Sequence, residues 1–330
     1  MRDFLRRLCL MILICSAFLH TVSAQSLGDW QQATGADRWD PRSSFSVLSF
    51  HGRIWILGGG RENDLWNSPD GKEWTKVQTL SDWHPNQHSC SIVFDGRMWV
   101  FGGIKTIDGH VQITNEVWSS SDGIGWSQTK SVSPWKKRGD TAATQFLGKI
   151  WLLGGQAGSN AFGDVWSSTD GENWEQISAM APWGGRYNHS VLVHHDKIWV
   201  IAGYSKPDPG GNCDDIWSSS NGRDWERVIS SLPWGKRTGM GVASEGDYIW
   251  VSGGYAGGLT QNKSYNDVWS SEDGRTWKRM EASAPWSARC GHASLGFKGN
   301  LWIIGGETLP QKKFGRQDLW NDAWNVPIRN

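Results

Sequence analysis

Five arginines stand at matching places in the sequence. Arg42, Arg138, Arg186, Arg237 and Arg289 each follow a tryptophan by three residues, and Asn86 holds the sixth such place, after Trp83. A guanidinium presents a planar fork of donors that fits a carboxylate or sulfate bidentately. Gathered round one opening, five of them could hold an acidic ligand, and Asn86 makes the set asymmetric, as recognition of a small molecule requires. A series of acids runs in step with them, two residues before another tryptophan: Asp64, Glu116, Asp164, Asp215, Asp267 and Asp318. The competing expectation is that each arginine pairs with an acid within or between repeats, where a buried pair sets geometry more than stability.

Histidine and aromatic residues extend the candidate set. His189 and His292 each lie three residues after one of the arginines, with His88 near the same level. Imidazole titrates near neutrality and can act as a general base or a metal ligand. Packing is the alternative for these histidines. Trp83 opens the least regular copy, and Tyr204 and Tyr255 head loops that mix aromatic faces with hydrogen-bonding groups, as sugar sites do. The candidate ligand contacts are therefore the five arginines, Asn86, His189, His292, Trp83, Tyr204 and Tyr255. No H-E-x-x-H, G-x-S-x-G or G-x-x-x-x-G-K occurs, so no catalytic residue is assigned and nothing demands a metal or an organic cofactor.

What must position these residues is legible in the 25 tryptophans. Trp55, Trp99, Trp151, Trp199, Trp250 and Trp302 lie in phrases such as KIWVIAG, and Trp66, Trp118, Trp166, Trp217, Trp269 and Trp320 in phrases such as DVWSS. Trp39, Trp83, Trp135, Trp183, Trp234 and Trp286 precede the first series by 16 residues. Trp30, Trp74, Trp126, Trp174, Trp225 and Trp277 precede that third series by 9, which leaves Trp324 outside. Each copy of 44 to 52 residues reads as four short strands, with Asp-Gly or Asn-Gly turns such as TDG before the fourth. Such a unit is a propeller blade. The sixth copy lacks its fourth strand, and the segment around Trp30 has the spacing of one. Residues 28–34 are expected to complete that blade beside residues 318–325 and so close the ring. The fold class is thus an all-β, six-bladed β-propeller spanning residues 25–330.

The pattern of an arginine, a strand, an apolar segment ending in Gly-Gly, a D-x-W strand and a further tryptophan resembles the kelch repeat. The third copy shows it well in Arg138, Gly154-Gly155, Trp166 and Trp174. The resemblance covers the chain after its first residues and implies the kelch-type propeller also found in the central domain of galactose oxidases. Their copper chemistry is not implied, because no tyrosine and cysteine here form a recognisable pattern. The architecture is also similar to that of the exported kelch-type mutarotases of sialic acid, the N-acetylneuraminate epimerases. That likeness implies an acid or base, His189 or Glu307, beside Arg138, Arg186 or Arg237 holding an acidic sugar. Kelch-type propellers also serve as binding and adhesive modules, so fold alone does not choose. A module binding a glycan, a glycoprotein or a protein partner through the loop-rich mouth is the leading expectation. A structural or adhesive surface protein is the third.

The remaining composition bounds the setting. Arg2, Arg6 and Arg7, the apolar run Leu8–Leu19 and Val22-Ser23-Ala24 form a secretory signal, with cleavage expected after Ala24. The product is expected in the periplasm or outside the cell, monomeric and without membrane insertion. With 33 basic and 33 acidic residues in all, there is no electrostatic footprint for nucleic acid. Cys90, Cys213 and Cys290 remain after export, too few for a disulfide framework.

Overall fold

The computed structural model describes residues 26–33, 39–59, 64–80, 83, 85–107, 109–129, 133–205, 211–257, 262–309 and 317–329. The expected signal peptide lies outside them. The described residues form strands and turns, with no helix.

Each repeat folds as an antiparallel four-stranded sheet in chain order. In the third blade the strands are Ala142–Phe146, Lys149–Ala157, Asn160–Ser168 and Trp174–Ser178. The first strands of successive blades abut one another in a closed circle, the sixth returning to the first. They line a channel. The second strands are apolar on both faces because each is packed between two neighbouring blades. Ile54, Trp55, Ile56 and Leu57 are all buried. Among the described residues there are accordingly six cores, each shared by adjacent blades. One joins Leu48, Trp55 and Leu65 to Met98, Val100 and Trp126. Another joins Trp199 and Ile201 to Trp234 and Val251.

The turn before the fourth strand is tied by its own side chains. In the third blade Asp170 Oδ1 accepts the N–H groups of Glu172 and Asn173 at 2.8 and 2.7 Å, and Ser168 Oγ accepts that of Gly171 at 2.8 Å. Gly171 has φ of +76°, and a Cβ there would lie 2.2 Å from the ring of Trp99 in the preceding blade. The D-G turn is therefore a hairpin signal and a socket for the neighbour's indole.

The ring closes as expected, with a shifted register. Ala323–Arg329 is the third strand of the sixth blade, and Ser26–Leu27 and Gln31–Gln32 pair with it. Ser26 stands opposite Arg329 and Gln32 opposite Trp324. The sixth D-x-W tryptophan is thus Trp324, whose Nε1 donates to Asp322 Oδ2 at 2.8 Å as Trp166 does to Asp164. The assignment of Trp320 and Asp318 to that place is corrected. The letters Asp-Leu-Trp-Asn occur both at 64–67, in the strand, and at 318–321, in the loop before it. Trp320 donates its Nε1 to Thr308 Oγ1 within that loop.

Candidate functional site

The arginines do not face a ligand. Arg42, Arg138, Arg186, Arg237 and Arg289 are between 0 and 4% exposed. Each pairs with the acid of its own blade: Asp64, Asp164, Asp215, Asp267 and Asp322, with shortest contacts of 2.6–2.9 Å. Each also donates to the carbonyl 16 residues on, as Arg138 does to Gly154 at 2.8 Å. One guanidinium thus holds the first, second and third strands together. Burial opposes ionisation of Asp322, but the hydrogen bond and charge of Arg289 prevail and hold its carboxyl below the usual range. The expectation that these five contact ligand is corrected: their guanidiniums bond inside the blades, and Arg237 Nε, without a partner among the described residues, is buried there as well.

Asn86 performs the same backbone task with a shorter arm, its amide donating to Gly102 O at 2.9 Å. It cannot reach the blade's acid, which here is the longer Glu116. Lys105 takes that role, its Nζ 2.5 Å from Glu116 Oε1. Lys105 belongs to the hairpin Ile104–Ile107 and His110–Ile113, so the exchange moves the ion pair of this blade from the core to a mouth loop.

Trp83 is also corrected. It is buried and stacks on Trp126 with centroids 3.9 Å apart, inside a core rather than at the mouth. His189 and His292 are buried beside Trp183 and Trp286. Burial first, then the neighbouring Arg186 and Arg289, push their pKa values down to about 3, so both are neutral. His292 Nε2 lies 2.9 Å from Ser252 Oγ. Both line the cavity at the head of the channel as buried, neutral rings.

The exposed chemistry lies one residue closer to the mouth. Ser44, His88, Asp140, Asn188, Gly239 and Gly291, each two residues after the arginine or Asn86, all have positive φ, from +50° to +62°. Their backbones link blade to blade. Ser44 N–H donates to Gly291 O, His88 to Ser44, Asp140 to His88, Asn188 to Asp140 and Gly291 to Gly239, at 2.8–3.3 Å. The hydroxyl of Thr238 closes the circuit onto Asn188 O at 3.2 Å. This collar surrounds a cavity of about 170 Å³ at the head of the channel.

His88 is the distinctive member. Its Nδ1 lies 2.7 Å from Asp140 Oδ1, and Gln156 Nε2 donates to Asp140 Oδ2 at 2.7 Å. The Asp140 hydrogen bond outweighs burial and raises the His88 pKa, with help from the charges of Asp140 and Glu307. Burial raises the pKa of Glu307 against a hydrogen bond from Ser43 and the charge of His88. Tyr187 and Tyr204 stand side by side with ring centroids 5.3 Å apart. Burial, then Tyr204 and Asp140, lift the Tyr187 phenol to about 12. Tyr255 is half-buried on the same rim, its pKa raised by burial and then by Cys290. Gln156, Tyr204, Tyr255 and Glu307 are four equivalent residues, each directly after its blade's Gly-Gly or Ala-Gly pair.

Tyr204 and Tyr255 were therefore expected at the rim and are there. Asp140 and Gln156 were not singled out. A signal for the collar existed, since Ser, His, Asp, Asn, Gly and Gly at one fixed offset are residues that tolerate positive φ. Among the described residues no three His, Cys, Asp or Glu side chains form a metal site. A second cleft, of about 730 Å³, runs outward from His88 between Asp40, Gln87 and Gln317.

No family model matches the chain, and no curated protein sequence does. Solved structures do: 575 chains match, so the likeness is to a widely shared fold. The structure of YjhT superposes with a TM-score of 0.72, is 18% identical, and is covered over 99% of its length by 89% of this chain. At that identity the likeness shows the six-bladed propeller and no more.

Proposed function

We propose that the chain is an exported propeller of the kelch type that binds a glycan, or a glycan-bearing protein, at the mouth of its channel. One observation carries the reading. The framework repeats six times, and the repetition breaks at the collar and rim, which carry Tyr187, Tyr204, Tyr255, His88, Gln156 and Glu307. Irregular positions on a regular scaffold are where binding residues collect. Phenol faces beside carboxyl, amide and imidazole groups suit a ring with hydroxyls on its edge. The paired arginines favour a ligand whose recognition does not depend on a carboxylate.

The test is a thermal-shift screen of residues 25–330 against neutral, amino and acidic sugars. Ligand at a hundred times its Kd adds about 2.7 kcal/mol of stability. A shift with a neutral sugar, lost in Tyr204→Ala, supports the reading. No shift with any sugar overturns it and directs the search to protein partners.

A second reading, a sugar-processing enzyme, is favoured by the contact between His88 and Asp140. An imidazole oriented by a carboxylate, with a second carboxyl of raised pKa nearby, can pass protons to and from a sugar hemiacetal. The version of that reading built on a mouth arginine and His189 has lost the arginine to the blade interior and has in His189 a buried, neutral ring at the cavity wall. Sugar turnover abolished by His88→Gln, with binding retained, would support the enzyme.

A further inference from the structure

The collar is lopsided. Blades one to four place Ser44, His88, Asp140 and Asn188 over the channel, whereas blades five and six place Gly239 and Gly291. The backbone does not dictate this choice, because Asn188 adopts φ of +50° at the same position where Gly239 and Gly291 have +62° and +59°. Crowding is mild at Gly239 and absent at Gly291. A Cβ on Gly239 would lie 3.3 Å from Cys290 Cβ and from Gly291 N, so a neighbour would have to give by a few tenths of an ångström, whereas one on Gly291 would meet nothing closer than 3.5 Å. Gly291 leaves space that the fold itself does not use. Rim groups stand around that space. Glu307 Oε1 is the atom 3.5 Å from the missing Cβ of Gly291, and Tyr255 is bridged through its backbone to Thr238, next to Gly239. The cavity that the two glycines line, at about 170 Å³, is smaller than the pockets of about 300–1,000 Å³ that enclose a drug-sized ligand. It suits one end of a longer molecule.

We propose that Gly239 and Gly291 floor a recess that seats the terminal ring of an oligosaccharide, with the rest of the chain lying across the rim. The ring packs against Tyr255, and its hydroxyls bond to Glu307. His88 and Asp140 close the opposite wall. The proposal rests on the reading of the mouth as a sugar site and adds where the ligand sits and which end enters.

The experiment compares wild type with Gly239→Asn and Gly291→Asn. Asparagine is the side chain this collar already tolerates, and near-ultraviolet circular dichroism of the tryptophans checks the fold. The probes are maltotriose, cellotriose and triacetylchitotriose with their monosaccharides, titrated calorimetrically. The expected result is that a trisaccharide binds more tightly than its monosaccharide. Each Gly→Asn variant should weaken it about tenfold or more. Wild-type affinity in both Gly→Asn variants overturns the recess while leaving the sugar site standing. Equal affinity for monosaccharide and trisaccharide overturns terminal entry. No binding of any probe to wild type overturns the sugar site and the recess together. Should an asparagine variant lose its fold, Gly239→Ala and Gly291→Ala repeat the comparison with one carbon added.

Discussion

Replacing Arg138 by methionine separates a structural arginine from a ligand-binding one. Arg138 is fully buried and donates to Lys136 O, Gly154 O and both oxygens of Asp164, at 2.6–3.0 Å, with its guanidinium 4.4 Å from the Phe162 ring centroid. Methionine keeps most of the stem volume. It removes every donor and leaves Asp164 nearly buried, with the Trp166 indole as its one remaining hydrogen-bonded partner among the described residues. Removing one member of a buried pair costs about 3–5 kcal/mol. At about 2 °C per kcal/mol for a chain of this size, the melting temperature should fall by roughly 6–10 °C in scanning calorimetry. The double variant Arg138→Met with Asp164→Leu should recover most of the loss, because no uncompensated charge remains. A fall of less than about 1 °C for Arg138→Met would refute the assignment and return Arg138 to the mouth.

Other outcomes follow from the same geometry. His189 and His292 have folded pKa values depressed to about 3 against an ordinary 6.5, so the unfolded chain binds more protons than the folded one between those values. Stability should therefore decline as pH falls below about 6.5, by about 1.4 kcal/mol per pH unit for each histidine, and His292→Gln should flatten the profile of melting temperature against pH. His88 has the opposite sign. Its contact with Asp140 contributes fully below its unfolded pKa and is lost as pH rises through the raised folded value, so its imidazole resonances should titrate above 6.5 in wild type and lower in Asp140→Asn. Lys105→Met should raise hydrogen exchange in residues 104–113 and leave the strand Arg97–Phe101 protected, whereas equal exchange in both proteins would show that the Glu116 contact does not hold the hairpin. Trp199→Ala should cost about 3–5 kcal/mol in denaturant unfolding, since Trp199 sits in the core between the fourth and fifth blades.

The fold was legible because a large buried ring must recur wherever a blade packs on its neighbour, and tryptophan marks those places at fixed spacing. The exchange of arginine for Asn86 was visible too, but its consequence was not. Lys105 and Glu116 are eleven residues apart across a hairpin whose course no spacing foretells. The sixth D-x-W strand was misplaced because four identical letters occur in a strand at 64–67 and in a loop at 318–321, and only pairing with Asn300–Ile304 distinguishes them. The arginines misled for a physical reason. Their regularity, which suggested a ring of binding groups, is the regularity of a brace needed once per blade. His88 and Asp140 are 52 residues apart and meet only because consecutive blades set their collars side by side. Such a contact belongs to closure of the ring and is written in no local pattern.

The joint in the sixth blade also fixes how the molecule can be held. Ser26 and Arg329 face each other where the other blades have their turn between third and fourth strands. That turn lies at the opposite end of the sheet from the collar, because the first strand runs away from the mouth, the second returns and the third runs away again. Chain arriving at residue 26 or leaving at residue 329 therefore does so on the far side. A tether at either end, or a fusion partner, would orient the protein with its collar pointing outward, unobstructed and displayed to whatever approaches.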